Sequence, residues 1–232
     1  MTDGLYLEYL RISPDIKIRI SIDYTMPPRQ AHEAPPPPHW PEAITYLTKP
    51  RLSSTFPPSL IPLLYHPSPG TKFTPRPTPH PAHVAVKAIT TPGHPANGQL
   101  GLFAKRKIAG GELIIPYLGV IHHTLTPVDS EGQEEDESDY DLSLLRLSQA
   151  DTRNPFPGNH ISIGIDAAHM GNAGRFVNDF RGIGTAPNAE FKLGRGEGGE
   201  LRMEIWALKG KGIGKGEEVL VSYGKSWWGA RN

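Results

Sequence analysis

Residues 171–179, with the sequence Gly-Asn-Ala-Gly-Arg-Phe-Val-Asn-Asp, bring small, charged and amide side chains together in one short loop. Just before this loop, Ile161, Ile163 and Ile165 alternate with smaller or polar residues, which predicts a strand with one buried face. An asparagine in such a loop can hold the edge of a purine ring or cap a turn. The composition of the loop leaves both interpretations open.

Short strands separated by glycine-rich turns continue on both sides of this loop. Few stretches have the period of a helix, whereas two-residue alternation recurs along residues 98–232, which also hold 22 of the 25 glycines. This pattern predicts a mainly β fold with many short strands and long loops. The other strands that it predicts lie at residues 84–90, 113–117, 140–144, 201–207 and 219–223.

The first part of the chain is rich in proline and begins with a predicted β-hairpin. Residues 1–95 hold 20 of the 25 prolines. Over residues 16–24, isoleucines alternate with charged and polar side chains, which predicts a strand with one buried face. Residues 5–12 are also strand-like, and Ser13-Pro14-Asp15 is a turn signal between the two strands.

The prolines that follow this hairpin interrupt regular structure. Pro41 suits the first turn of a helix, and we expect a short helix over residues 41–48. Residues 50–81 are expected to form an extended wrap or a loose linker. The prolines suit either a spacer or a ligand for a domain with an aromatic groove, and the sequence leaves both open.

The composition argues against several classes of function. Lys+Arg and Asp+Glu both number 24, so strong nonspecific binding of nucleic acid is not expected. Cysteine is absent, which excludes disulfides, thiolate zinc sites and a cysteine nucleophile. With no apolar run near the ~18 residues of a membrane span and no signal-peptide pattern, we expect a soluble intracellular protein. His122 and His123 face opposite sides of a predicted strand without an evident third ligand, so no metal site is predicted.

One segment of the chain is strongly acidic. Residues 129–139 hold seven carboxylates in eleven positions. Such a run is typical of a solvated loop. It also provides a negative surface that could steer a basic peptide, and the two interpretations are compatible.

Five segments, taken in chain order, resemble the motifs of the SET-domain protein-lysine methyltransferases. Residues 101–119, with Gly-Glu and Tyr-x-Gly at the expected spacing, resemble the opening motif, and Tyr140 resembles the tyrosine that begins the next strand. Residues 165–178 resemble the segment that leads into the family's Asn-His-Ser signature, and Pro187-Asn188 resembles the Pro-Asn that follows it. Residues 216–224, Gly-Glu-Glu-Val-Leu-Val-Ser-Tyr-Gly, resemble the closing motif.

The resemblance implies a SET domain over residues 82–228, preceded by a proline-rich N-terminal region over residues 1–81. The expected fold consists of several small sheets. In it the chain near 175–179 passes beneath the segment of Tyr223, a knot-like C-terminal threading that most folds avoid. The resemblance also implies S-adenosyl-L-methionine as the methyl donor. This cofactor would occupy one surface pocket, and the target lysine would enter from the opposite face through a narrow channel.

The resemblance also assigns roles to individual residues. Tyr223 would be the catalytic residue, with its phenol oxygen aimed at the reacting centre. Tyr117 and Tyr140 would line the lysine channel together with Tyr223. Trp227 and Trp228 directly follow the closing motif, and their position leaves three roles open for one of them: to stack on the adenine of the cofactor, to cover the channel, or to pin the C-terminus to the core. The residues expected to bind the cofactor are Gln99, Gly101, Leu102, Phe103, Arg175, Phe176, Asn178, Asp179 and Trp227.

The chain departs from the family's pattern mainly around the signature. Gln99 replaces the first glycine of the family's Gly-x-Gly, Asp179-Phe180-Arg181 replaces its His-Ser-Cys, and the post-SET cysteines that bind zinc are missing. Two functions follow as candidates. The first is a methyltransferase acting on a basic, lysine-bearing segment of a histone tail or another protein, in the nucleus rather than the cytoplasm. The second is a SET-like interaction module of chromatin or other assemblies with weak or no activity. The retained Tyr223 and Asn178 favour the enzyme.

Overall fold

The computed structural model describes residues 9–13, 16–19, 32–65, 74, 76, 81–129 and 138–223. The chain divides into two compact units, residues 1–31 and residues 32–232. The first unit contains strands β1 (Tyr9–Ser13) and β2 (Ile16–Arg19), which pair antiparallel. The predicted β-hairpin is therefore confirmed over these residues. The outer ends of both predicted strands and the turn at Pro14-Asp15 lie outside the described residues.

The second unit consists of short strands in small separate sheets. Among its described residues, regular helix is limited to α1 (Ile61–Tyr65) and to 3-10 turns at Pro58–Leu60, Pro81–His83 and Ala173–Phe176. The predicted mainly β fold of several small sheets is confirmed. In chain order the strands are β3 (Thr45–Tyr46), β4 (Arg51–Leu52), β5 (Val84–Ala88), β6 (Leu100–Ala104), β7 (Leu113–Tyr117), β8 (Val120–Pro127), β9 (Asp141–Leu147), β10 (Asn159–Asp166), β11 (Met170–Gly171), β12 (Asn178–Asp179), β13 (Ala189–Arg195), β14 (Leu201–Ala207) and β15 (Leu220–Val221).

The largest sheet has four strands in the order β4–β8–β10–β9. Its strand β10 pairs antiparallel with both β8 and β9, and Ile161, Ile163 and Ile165 are at most 1% exposed. The alternation seen in the sequence thus produces the predicted buried face. A second sheet has the order β13–β14–β7, and β5 pairs with β6. The apolar faces of these sheets contribute to one hydrophobic core.

Two short parallel pairings position the segments that carry the family motifs. Strand β12 pairs with β15, which sets Asn178 opposite Leu220 and Asp179 opposite Val221. Strand β11 pairs with β3. The first pairing places the signature segment directly beside the closing motif, although the two are about 40 residues apart in the sequence. The knot-like threading stays a prediction.

Residues 32–65 pack as part of the second unit, which corrects one prediction. The short helix expected over residues 41–48 is wrong, because Thr45 and Leu47 donate backbone hydrogen bonds to the carbonyls of His169 and Gly171 at 3.0 and 2.8 Å. These long-range strand bonds use the groups that a helix would have paired locally. Within residues 50–65, strand β4 and helix α1 belong to this unit, and Phe56, Leu60 and Leu64 are part of the core.

Glu33, near the start of this unit, accepts hydrogen bonds from Thr48 and Arg51, and these bonds make the stability of the unit depend on pH. Burial acts to raise the pKa of Glu33, but hydrogen bonds from Thr48 and Arg51 outweigh it and lower the pKa to about 2 from 4.5. A carboxyl with a depressed pKa stabilises the fold above its unfolded pKa, and the contribution is lost as the pH falls toward the folded value.

We therefore expect Glu33→Gln to lower the free energy of unfolding by about 1–2 kcal/mol at neutral pH, because charge-assisted hydrogen bonds are lost. The difference between wild type and variant should shrink as the pH falls from 4.5 to about 2. Urea titrations at several pH values measure it. A difference that stays constant over this range would contradict the assignment.

Candidate active site

Two hydrogen bonds, one from the backbone and one from the hydroxyl, fix Tyr223 at the junction of β12 and β15. Its backbone N–H donates to Oδ2 of Asp179 at 2.7 Å, and its hydroxyl donates to the carbonyl of Val177 at 2.7 Å. Burial, reinforced by the Asp179 carboxylate, raises the pKa of Tyr223 well above its usual value. The phenol is therefore neutral at physiological pH, and its oxygen retains lone pairs for another contact.

Asp179, which stands where the family has histidine, has a positional role in this junction. Its side chain is 6% exposed, and its two oxygens accept bonds from Arg181 as well as from the backbone N–H of Tyr223. The guanidinium of Arg181 neutralises the buried charge. The departure from the signature thus fixes the closing segment against β12 instead of leaving a buried carboxylate without a partner.

Tyr117 and Tyr140 lie near Tyr223. The phenols of Tyr140 and Tyr223 add to the raised pKa of Tyr117, and the phenol of Tyr140 also adds to the raised pKa of Tyr223. The hydroxyl of Tyr117, a residue 3% exposed, donates to the carbonyl of Tyr140 at 2.7 Å, and burial raises the pKa of Tyr117. Tyr140 is 37% exposed. The structure thus groups the three predicted channel residues, with Tyr117 deepest and Tyr140 at the surface.

Arg175 is placed against the channel tyrosines. Its guanidinium carbon lies 4.1 Å from the ring centre of Tyr140, and its Nε donates to the carbonyl of Ala167 at 2.9 Å. Burial lowers the pKa of Arg175. The adjacent Phe176 is 6% exposed and makes an edge-on contact with Trp40 at 5.4 Å between ring centres. Both residues were predicted to bind the cofactor, and this stays a prediction, because the contacts seen here join them to Tyr140, Ala167 and Trp40.

Asn178 lies at the centre of a polar cluster next to Gly101. Its Nδ2 donates to Oε1 of Glu218 at 2.8 Å, and Oε2 of Glu218 lies 3.1 Å from Nε2 of His94. A Cβ atom added to Gly101 would lie 2.7 Å from Oε1 of Glu218 and 2.9 Å from the ring of Phe103, so these side chains pack against Gly101 and leave no room for a larger residue. The sequence analysis did not identify His94 or Glu218 as site residues. Glu218 belongs to the closing motif, but His94 lies in a turn with no motif signal.

The remaining predicted cofactor residues occupy different environments. Gln99 is exposed, and its backbone fixes the loop by bonds to Ala96 and Ile89. The side chain of Leu102 is fully buried in the core, so any contact of Leu102 with a ligand must come from its backbone. Phe103 is half-buried, with the ammonium of Lys87 5.0 Å from its ring centre. Trp227 lies outside the described residues.

The two other motif asparagines hold backbone segments. Oδ1 of Asn172 accepts bonds from the N–H groups of Leu118 and Gly174 at 3.2 Å, and its Nδ2 donates to the carbonyl of Pro116. Asn172 therefore caps the turn, as one of the two interpretations of the loop had it. Asn188 accepts from the N–H of Leu220 and donates to the carbonyl of Glu218, which anchors β15.

The chemistry of this junction fits S-adenosylmethionine. A sulfonium cation calls for electron-rich surroundings, and the junction offers the carboxylate of Glu218 and the neutral phenol of Tyr223. Gly101, a predicted cofactor residue, lies directly against that carboxylate. Backbone at 98–103 and the amide of Asn178 could hold the rest of the molecule.

Elsewhere, the described part of the chain offers no comparable arrangement. A cavity of about 160 Å³ lies on the polar face of the largest sheet, next to His122 and Asp141, and contains none of the predicted cofactor residues. Among residues that the structure describes, no three His, Asp or Glu side chains converge in a way that could hold a metal ion. None of the described helices has the length and apolar character of a membrane span.

Comparison with known proteins agrees with this arrangement. The family model described as SET domain matches residues 99–224, more than half of the chain. Among solved structures, the chain is similar to one described as "ctPRC2 in an autoinhibited conformation bound to S-adenosylmethionine", with 27% identity over 61% of this chain and a TM-score of 0.39. It is also similar to the Chaetomium thermophilum polycomb repressive complex 2, with 26% identity over 61% of this chain and a TM-score of 0.38.

In both cases the match covers 15% of the other chain, so this protein corresponds to a small part of each. No curated protein gives a significant match to the sequence. SET-domain methyltransferases use S-adenosylmethionine as their methyl donor. Because the family model spans more than half of its length and the motifs meet at one junction, the chain belongs to the SET-domain family.

Proposed function

We propose that this chain is a protein-lysine methyltransferase that uses S-adenosylmethionine. The observation that carries the proposal is the anchoring of Tyr223 between Val177 and Asp179, beside Tyr117 and Tyr140. This arrangement gives a neutral phenol at a fixed position next to a group of aromatic side chains. The bound cofactor supplies a methyl group on a positively charged sulfur.

The tyrosines prepare the lysine for attack. A free lysine amine has a pKa of ~10.4, so almost all of it carries a proton at neutral pH. Aromatic walls such as Tyr117 and Tyr140 exclude water and disfavour the charged form, which lowers that pKa. The same walls fix the direction of approach, and correct orientation of two reactants is a large part of such rate accelerations.

In this proposal Tyr223 acts at the methyl group and the lysine amine, where the charge changes during transfer. Its hydroxyl hydrogen is engaged by the carbonyl of Val177, so its oxygen faces other groups as an acceptor. A fixed acceptor of this kind stabilises a polarised methyl group and an amine hydrogen at no further cost of reorganisation. Asp179 keeps the Tyr223 backbone in place, and Arg175 supports the ring of Tyr140.

The substrate in this proposal is a basic protein segment bearing the target lysine, in a histone tail or in another protein. The acidic residues 129–139 directly precede Tyr140 in the sequence. A negative segment next to the surface-exposed tyrosine of the channel would raise the rate of encounter with a basic peptide. A chromatin substrate would place the protein in the nucleus.

Cofactor binding is tested by calorimetry on the purified protein. We expect 1:1 binding of S-adenosylmethionine by the wild type and at least about tenfold weaker binding by a Gly101→Val, Asn178→Ala double variant. The valine side chain would occupy the space beside Glu218 and Phe103, and alanine removes the amide.

Gly184→Val is the matched control, because the nearest atom to an added Cβ there is 3.7 Å away. It should bind like the wild type. A double variant that folds and binds the cofactor with unchanged affinity would contradict the assignment of this site.

A further inference from the structure

The carboxylate of Glu218 is buried and held by one donor on each oxygen. Its side chain is 10% exposed, with Nδ2 of Asn178 at 2.8 Å from Oε1 and Nε2 of His94 at 3.1 Å from Oε2. A carboxylate in such surroundings stays ionised only because its hydrogen bonds replace water. Two well-placed donors satisfy that need.

The hydrogen bonds of His94 assign Nδ1 as the acceptor of its ring and Nε2 as the donor. The backbone N–H of Ala96 donates to Nδ1 of His94 at 3.0 Å, so Nδ1 carries no proton. The ring proton therefore lies on Nε2, which donates to Glu218. Both partners of Glu218 in these contacts are neutral donors, so they stabilise its negative charge without cancelling it.

Asp179, the other carboxylate of the junction, differs in this respect. Its charge is paired with the guanidinium of Arg181 at 2.8 Å. In the described contacts Glu218 faces no guanidinium or ammonium group: its side-chain partners are the imidazole of His94 and the amide of Asn178. Glu218 and Asp179 both accept several hydrogen bonds, so they differ in the charge of their partners and not in the number of bonds.

The position of Glu218 relates its charge to the cofactor site. Its Oε1 packs against Gly101, 2.7 Å from the point where a Cβ would stand. Gly101 and Asn178, the partner of Glu218, are predicted cofactor residues, and the backbone of Glu218 bridges to Phe103, which is another. Its charge also contributes to the raised pKa of the Tyr223 phenol, which indicates that the two groups are close.

We propose that Glu218 is the residue that makes the site prefer the positively charged methyl donor over the neutral product. This inference rests on the proposed function. Transfer breaks the sulfur–methyl bond and leaves its electron pair on sulfur, so the sulfonium becomes a neutral thioether. The amine nitrogen forms the new bond with its own lone pair, gains the positive charge and later gives a proton to water.

The consequence is a difference in affinity between the two forms of the cofactor. A buried anion attracts the sulfonium because little water screens the interaction, and the attraction ends when the methyl group leaves. His94 and Asn178 act as positioning residues that hold the carboxylate in place. The loop that carries His94 is thereby part of the site.

Calorimetry with two probes tests this selectivity. We expect Glu218→Gln, which removes the charge with little change in shape, to weaken S-adenosylmethionine binding by about tenfold or more. Its affinity for S-adenosylhomocysteine, the neutral product, should change by less than about threefold. Glu217→Gln is the matched control, because the Glu217 carboxylate accepts from the backbone N–H of Gly214 and lies outside the cluster.

A merely structural role for Glu218 predicts that both affinities fall together, and that result would overturn the proposal. Should Glu218→Gln fail to fold, the wild type is measured with sinefungin, an analogue with a charged amine in place of the sulfonium. It should bind sinefungin more tightly than S-adenosylhomocysteine, and equal or weaker binding would overturn the proposal. If the wild type bound neither S-adenosylmethionine nor its product, the proposed function would fail first; a uniform loss in the variant contradicts the selectivity alone.

Discussion

Tyr223→Phe is expected to lower the rate of lysine methylation by about 10²-fold or more, which corresponds to ~2.7 kcal/mol of transition-state stabilisation. The substitution removes the phenol oxygen and keeps the ring. That oxygen faces the group of tyrosines around Tyr117 while its hydrogen is engaged by Val177. Its interactions with the methyl group and the amine are strongest at the transition state, so the rate should fall more than the affinity for the cofactor.

The same substitution has a structural cost that must be measured separately. Loss of the hydrogen bond to Val177 should lower stability by about 1 kcal/mol, or a few degrees in melting temperature. Tyr65→Phe serves as the control, because Tyr65 is 49% exposed and far from the motif residues in sequence. If Tyr223 were only a packing residue, the melting temperature would fall and turnover per folded molecule would stay unchanged. A normal rate in a stable Tyr223→Phe protein would refute the catalytic role.

A chain beginning at residue 80 is expected not to fold, although it retains every family motif. Removing residues 1–79 deletes Phe56, Leu60 and Leu64 from the core, where they are 8%, 0% and 3% exposed. At about 1.5–3 kcal/mol for each large apolar side chain, the loss approaches the whole stability of a typical domain. The deletion also removes strands β3 and β4, which pair with β11 and β8.

A chain beginning at residue 32 keeps these contacts and should fold and bind the cofactor. Thermal denaturation followed by circular dichroism compares both shortened chains with the full one. A cooperative transition near the wild-type temperature for the chain that begins at residue 80 would show that the N-terminal segment adds little to the core.

The strands could be predicted wherever a period of two residues was visible in the sequence. In β10 the isoleucines alternate with Ser162 and Gly164, and in β14 apolar residues alternate in the same way. Strand β13 is an exception: its sequence Ala-Glu-Phe-Lys-Leu-Gly-Arg also alternates, but it carries no β-branched residue, and it was not predicted. It pairs with β14 along its whole length. The short helix over residues 41–48 failed for a similar reason, since β3 exists through its pairing with a distant segment.

The candidate site was predictable only as far as the family motifs reach. Tyr117, Tyr140 and Tyr223 were identified in the sequence and lie together in the structure. His94 could not be predicted, because its contact with Glu218 joins residues 124 positions apart and depends on the fold of a turn. The role of Asp179 could not be predicted either, because Asp179 and Arg181 each replace a motif residue and the sequence does not show that they pair.

The central claim is tested most directly by transfer of a labelled methyl group. The wild-type protein is incubated with labelled S-adenosylmethionine and either histones or cell lysate, and labelled residues are identified by mass spectrometry. The account predicts label on the side-chain amine of lysine in a basic segment, with label strongly reduced for Tyr223→Phe. Binding of the cofactor at 1:1 with no labelled lysine in any protein would contradict it and would support a SET-like interaction module without turnover.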